Sequence, residues 1–203
     1  MIKNNKCFIL FFALLINVKL RSQIVYQETG DLKMLADQKT LCVKYDYSSL
    51  MMADGTTEAA FLEKMQNELN EKTPGRGDEF VSRWERCKKE VWEFKFEELF
   101  NKYVGKMDLS QSHTDSKYTL IVKTLVVFPG YTSIVGLGGG VESWVTCDFV
   151  IVETANPTVI LSQSEIKHVR GAAYCGADSP GYCVQEAYAK IAKLFADYIK
   201  KNK

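Results

Sequence analysis

The residue types able to do chemistry in this chain are few and scattered. Cys175 and Cys183 stand eight positions apart across a loop rich in glycine and proline, Gly-Ala-Asp-Ser-Pro-Gly-Tyr. That spacing lets two half-cystines reach bonding distance, and the closed loop would stabilise the fold by roughly 2–3 kcal/mol. A metal site needs several thiolates or imidazoles together, and no CxxC pair or neighbouring histidine completes a set here. No metal and no other cofactor is expected. Cys42, Cys87 and Cys147 fall inside regular elements and read as small buried hydrophobes. The two histidines, His113 in a polar connector and His168 near the end of a strand, have no GxSxG, HExxH or SxxK around them. They read as surface residues, with no catalytic residue to assign. A hydrolase or thiol enzyme built on a Cys/His pair is the competing reading.

The glycine-rich stretch Gly136-Leu137-Gly138-Gly139-Gly140 invites a phosphate-binding reading. A phosphate cradle, however, sits between a strand and a helix so that amides at the helix start face the anion. Here a strand follows from Val141, and no Lys-Ser/Thr pair does. The stretch is read as a loop between two strands, and Tyr131, Ile134, Gly136, Gly138, Gly139 and Gly140 are its candidate binding residues for a partner. Arg76-Gly77-Asp78 spells an adhesion tripeptide, but its local role suffices to explain it: Gly77 breaks one helix and Asp78 caps the next. Glu79, Glu85, Glu90, Glu93, Glu97 and Glu98 alternate with Arg83, Arg86, Lys88, Lys89 and Lys95. That pattern predicts i,i+4 ion pairs on a solvated helix face rather than paired carboxylates in a cleft. Trp84, Trp92, Phe94 and Phe96 fall at core-packing spacings.

These residues must be positioned by a recognisable series of elements. Thr40–Tyr47 alternates as a strand, with Leu41, Val43, Tyr45 and Tyr47 on one side. A helix follows, with Ala60, Phe61, Met65 and Leu69 on one stripe, and stops near Lys72 before Pro74. The next helix runs from Asp78 to Gly105. Its apolar register (Phe80, Trp84, Cys87, Val91) gives way near Phe94 to another (Trp92, Phe96, Leu99, Phe100, Tyr103), which predicts a bend or rotation of the buried face. Lys106–Lys117 is a polar connector. Tyr118–Phe128, Val141–Glu153 and Pro157–Val169 are strands, the last two joined as a hairpin. Val184–Lys200 is the closing amphipathic helix, with Ala187, Ile191, Leu194, Phe195 and Tyr198 inward. The reading is a single α+β domain, an antiparallel or mixed sheet of about four strands with helices packed on it, in the order β-α-α-β-β-β-α.

Residues 1–22 are unlike the rest. Lys3 and Lys6 precede Cys7–Val18, a run of twelve in which only Asn17 is polar. Twelve apolar residues fall short of the ~20 that span a bilayer and match the core of a signal peptide. Cleavage after Ser22 leaves a mature domain of residues 23–203, exported to the periplasm or beyond, with no transmembrane segment. The whole chain carries 26 basic and 25 acidic residues. The leader removes Lys3, Lys6, Lys19 and Arg21 and no acid, so the mature net charge is −3. That gives no electrostatic case for nucleic acid. Five cysteines remain, an odd number, so at least one is unpaired within the chain.

Pro74-Gly75-Arg76-Gly77-Asp78, Trp84, Arg86, Phe94-Lys95-Phe96, Glu98-Leu99-Phe100, Tyr118-Thr-Leu-Ile and Val152-Glu-Thr-Ala-Asn-Pro157 resemble a family of exported bacterial α+β proteins to which no activity is assigned. The order of elements is similar, more distantly, to the periplasmic α/β domains of envelope lipoproteins and secretion accessories. The resemblance implies an envelope location and supplies no catalytic residue. The function expected is a binding or interaction module of the cell envelope, its partner an unknown envelope protein or small ligand. A structural subunit of an envelope assembly is the other alternative. The surfaces expected to act are the loops Gly130–Gly140 and Arg170–Cys183, since loops on a rigid scaffold carry function.

Overall fold

The computed structural model describes the backbone of residues 25–130, 140–173 and 180–203. The strands are β1 (Val25–Gly30), β2 (Thr40–Asp46), β3 (Met51–Met52), β4 (Asp108–Ser110), β5 (Tyr118–Phe128), β6 (Trp144–Glu153) and β7 (Asn156–Arg170). The helices are α1 (Glu58–Lys72), α2 (Arg76–Arg86), α3 (Phe94–Val104) and α4 (Pro180–Asn202), with a π-helical segment over Cys87–Glu93 joining α2 to α3. The α+β class holds, but the sheet has seven strands, not about four. Their order is β1-β7-β6-β5-β2-β4, with β3 also on β5. The three strands missing from the sequence reading are short or carry little apolar signal. β3 has two residues inside a turn segment, and β4 has only Leu109 as a buried residue within a polar connector. The sheet is mixed: β1, β7, β6 and β5 run antiparallel in turn, while β2 and β3 run parallel to β5, and β4 parallel to β2.

The middle of the sheet is the most apolar part because it is covered most completely. Val145 to Val152 of β6 are all buried. Phe149 stacks between Phe96 of α3 and Phe195 of α4, at centroid distances of 6.0 and 4.1 Å. Leu120 and Val122 of β5 and Ile166 and Val169 of β7 belong to the same core cluster. α4 is the central helix, its Ala187, Ile191, Ala192, Phe195 and Ala196 buried. Small residues at three of those five positions let it lie close to its neighbours.

The change of apolar register near Phe94 has a structural cause. The extra residue of the π turn rotates the buried face, so that Trp84 and Trp92 meet edge to face at 5.3 Å while Phe96 and Phe100 continue the core beyond. Trp84, Trp92 and Phe96 are core; Phe94 points outward, 61% exposed. Asp78 is not the cap. The helix begins earlier, at Arg76, behind Gly75 in a left-handed conformation (φ 84°). Asp78 lies within the first turn and accepts a 2.6 Å hydrogen bond from Gln66 Nε2 of α1. Gly77 faces the Gln66 backbone, where a Cβ would stand 2.7 Å from the carbonyl carbon. The tripeptide Arg76-Gly77-Asp78 therefore belongs to a close helix crossing.

Candidate functional site

Of the loop residues singled out as binding candidates, Tyr131, Ile134, Gly136, Gly138 and Gly139 lie outside the described residues, as does Cys175. Gly140 is described and half-buried. The described residues that flank the two stretches are bonded to one another. Ser143, three residues past the first loop, donates its amide to Ala172 O at 3.0 Å and accepts from the Gly171 amide at 2.7 Å. Its hydroxyl donates to Cys183 O at 2.7 Å, and the Ala172 amide reaches the same carbonyl at 3.2 Å. Gly171 fits because no Cβ is there: one would stand 2.5 Å from Cys183 O and against Ser143 Oγ. Lys190 of α4 closes the junction by donating to Arg170 O at 3.0 Å.

Beside this junction runs a row of rings. Phe128 and Trp144 face one another across β5 and β6 at 6.2 Å, and His168 of β7 stacks on Trp144 at 4.2 Å with planes 23° apart. Two irregularities in the sheet aim these rings. β5 shifts register between Thr124 and Val126, and β7 places Lys167 and His168 opposite Thr146 alone. Bulges on both sides of one strand level twist the sheet end and redirect the side chains beyond. His168 is the one described non-glycine residue with positive φ, 51°, a conformation that costs of order 1–3 kcal/mol unless its surroundings enforce it. Here the Thr146 hydroxyl holds its backbone N–H at 3.0 Å, and Trp144 holds its ring. Glu142 and Arg170 flank the row as a half-exposed ion pair at 3.6 Å.

The arrangement offers a rigid, partly apolar rim with charges at its edge. It does not assemble a nucleophile. Among the described residues neither histidine bonds to a cysteine: His113 Nε2 lies 2.8 Å from Asp108 Oδ2, and His168 is committed to Trp144. The free cysteines Cys42, Cys87 and Cys147 are all buried. Burial pushes the Cys147 thiol up to about 12 and raises that of Cys87, the opposite of what a reactive thiolate needs. No group of His, Cys, Asp and Glu able to hold a metal occurs among the described residues. No helix among them is long and apolar enough to cross a membrane.

One constellation escaped the sequence reading. Glu93, expected on a solvated face, is only 8% exposed. Its Oε2 accepts from Gln111 Nε2 at 3.1 Å, and the same nitrogen donates to Glu97 Oε1 at 3.1 Å. Tyr45 of β2 donates to Glu93 O at 3.2 Å and to Glu97 Oε1 at 3.4 Å. Desolvation raises the Glu93 carboxyl above its ordinary value, and the Glu97 charge adds to the effect. The buried acid thus contributes its full stability only when protonated in both folded and unfolded chains, and that contribution is lost as pH rises through the folded-state value. Glu93→Gln is therefore expected to raise the thermal midpoint at pH 7–8. The gain should fade as pH falls toward the ordinary carboxyl value of 4.5, which thermal melts across that range will check.

No family model matches the chain, and no curated protein does. Among solved structures, it is similar to a PelC dodecamer from Paraburkholderia phytofirmans at 14% identity, over 84% of this chain and 96% of that one, with a TM-score of 0.42. A single-substitution variant of that dodecamer gives 14% identity over the same shares and a TM-score of 0.38.

Proposed function

We propose that the chain is an exported protein of the bacterial envelope that acts as a binding module, meeting its partner at the end of the sheet where the residues flanking the two loops are bonded together. The observation that carries this reading is the junction itself. The residues flanking the two stretches are bonded to each other through Ser143, Gly171, Ala172 and Cys183, beside an aromatic row in which the His168 backbone is strained. A fold tends to retain strain of that kind at a site of use. The leader of residues 1–22 supports export, and the family resemblance supports the envelope. Sequencing the N-terminus of protein recovered from the periplasmic fraction should give Gln23 or a neighbour; an intact Met1 would refute cleavage.

Binding is tested by envelope extracts passed over wild type and the double variant Trp144→Ala/His168→Ala. The variant should retain its fold and lose the bound species. Equal recovery on both would place the surface elsewhere.

A Cys175–Cys183 disulfide belongs to the same proposal. It is supported by the spacing of the two cysteines across a loop rich in glycine and proline, and by the burial of Cys42, Cys87 and Cys147 as free thiols. The denatured, unreduced mature protein should then label at three thiols, and at five after reduction. Five without reductant would rule the bond out.

A further inference from the structure

α4 is long enough to carry a separate surface at each end. Its 23 residues run for about 34 Å, from the junction at Cys183 to Asn202. α3 lies beside it and runs the same way: Trp92, just before α3, meets Gly181 and Tyr188, Phe100 meets Phe195, and Tyr103 meets Lys193 and Lys200. Both helix C-termini therefore emerge at one end of the molecule, away from the loop junction. The β6–β7 hairpin turn is at that end too, because α4 passes Ser143 of β6 at Cys183 and Phe149 at Phe195.

This end gathers charge of one sign. Residues 102–106 and 193–203 hold six lysines and one acid, while the remainder of the mature chain carries 16 basic and 24 acidic residues. Lys102, Lys106, Lys193, Lys200 and Lys201 are exposed. Lys193 and Lys102 stand over the Tyr103 ring at 4.9 and 5.8 Å, and Lys200 donates to the Tyr103 carbonyl at 3.0 Å. Among the described residues, Lys200 alone of the six is ion-paired, with Asp197 at 3.6 Å. A helix C-terminus favours cations in its last turn, which accounts for Lys102, Lys200 and Lys201. It does not account for Lys193, two turns earlier, or for Lys106, beyond the end of α3. At the same end the hairpin presents Val159 and Ile160, 44% and 52% exposed and adjacent in the chain.

We propose that the lysine-bearing ends of α3 and α4, together with the hairpin tip at Val159 and Ile160, dock on a bilayer surface rich in anionic lipid. The chemistry is complementary: ammonium groups on long apolar stems sit at the phosphates, and a small aliphatic tip enters the boundary of the acyl chains. Most of the molecule is net acidic and would be repelled by such a surface, so the charge segregation also sets the orientation. Docked this way, the protein holds its loop junction at the end of α4 remote from the bilayer, open to a partner. The docking does not depend on what the junction binds, and either can fail without the other.

Sedimentation with vesicles tests this on the protein recovered from the periplasmic fraction, using phosphatidylcholine alone or mixed with roughly 30% phosphatidylglycerol. Wild type should bind the anionic vesicles, release them as salt rises, and bind the neutral ones far less. A lysine near the surface supplies about fivefold in affinity, so Lys102→Gln/Lys106→Gln/Lys201→Gln/Lys203→Gln should weaken binding by about a hundredfold or more. A control of equal net charge, Lys44→Gln/Lys64→Gln/Lys72→Gln/Lys89→Gln, removes four exposed lysines elsewhere and should bind within about threefold of wild type. Val159→Ser/Ile160→Ser should lose about tenfold, as two aliphatic side chains no longer leave water. None of these positions is in the core, so all variants should melt as wild type does. Equal binding to neutral vesicles, an equal loss in the control, displacement by inorganic phosphate at constant ionic strength, or a hairpin variant that binds as wild type overturns the proposal.

Discussion

Replacing Trp92 with alanine is expected to cost about 3–5 kcal/mol, the largest loss of any single truncation in this fold. Trp92 is fully buried where the π-helical segment meets α4 and Tyr47, the residue after β2. Its ring lies edge-on to Trp84 at 5.3 Å, stacks on Tyr188 at 5.4 Å and reaches Tyr47 at 6.3 Å. Its Nε1 donates to Gly181 O at 2.6 Å, which fixes the first turn of α4. Truncation removes the packing against all three rings and the indole hydrogen bond to Gly181 O. For a domain of this size the thermal midpoint should fall by about 6–20 °C. Trp92→Phe separates the two terms: it keeps most of the packing but removes the indole donor to Gly181 O, which retains its place in the α4 ladder, at about 0.5–1.5 kcal/mol. Melts of the three proteins check this. A Trp92→Phe variant as stable as wild type would show that the hydrogen bond contributes little.

The second large effect is expected at Gly171. Its backbone conformation is open to any residue, so the constraint is space alone. A Cβ would press on Cys183 O at 2.5 Å and on the Ala187 amide at 3.2 Å, both backbone atoms of α4, and on the Ser143 hydroxyl that bonds Cys183 O. A serine can rotate away, but two turns of a packed helix cannot. Gly171→Ala should therefore cost about 1–3 kcal/mol as the end of β7 is pushed off α4. It should also weaken partner binding more than a control of equal stability loss, because the displaced segment carries His168 and Arg170 beside Trp144. Melts together with recovery from envelope extracts measure both. A variant that loses stability yet binds as wild type would show that the junction is structural only.

How far the sequence revealed these features depends on whether their causes are local. Tyr118–Phe128 was legible as a strand to the residue because β-branched residues fill both its faces. The rotation near Phe94 was legible because the interval between buried aromatics changes there, although only the structure shows a π turn absorbing it. β4 was not legible. Asp108-Leu109-Ser110 reads as polar connector, and what makes it a strand is pairing with Thr40–Cys42, some seventy residues away, and the Asn101 amide.

The same limit governed the sites. The loops Gly130–Gly140 and Arg170–Cys183 were separately marked by composition, but the bonding of their flanking residues at Ser143 depends on β6 and β7 lying side by side. Trp144 and His168 are brought together by a bulge opposite Thr146, which no spacing rule encodes. Glu93 and Glu97 are four apart on a helix, a spacing that looks the same whether the face meets water or Tyr45 of a strand forty-eight residues earlier. The thiols, by contrast, were placed well, since Cys42, Cys87 and Cys147 sit in apolar stretches that fold into the interior.

The claim that the loop junction is where this protein meets its partner is tested most directly by photocrosslinking in intact cells. A photoreactive residue is placed at Val141, which is exposed and follows the first loop, and in a control at Glu68 on helix α1. A discrete adduct from position 141, absent from position 68 and lost when Trp144→Ala is added, is the result the account predicts. No adduct from position 141, or the same adduct from both positions, would contradict it.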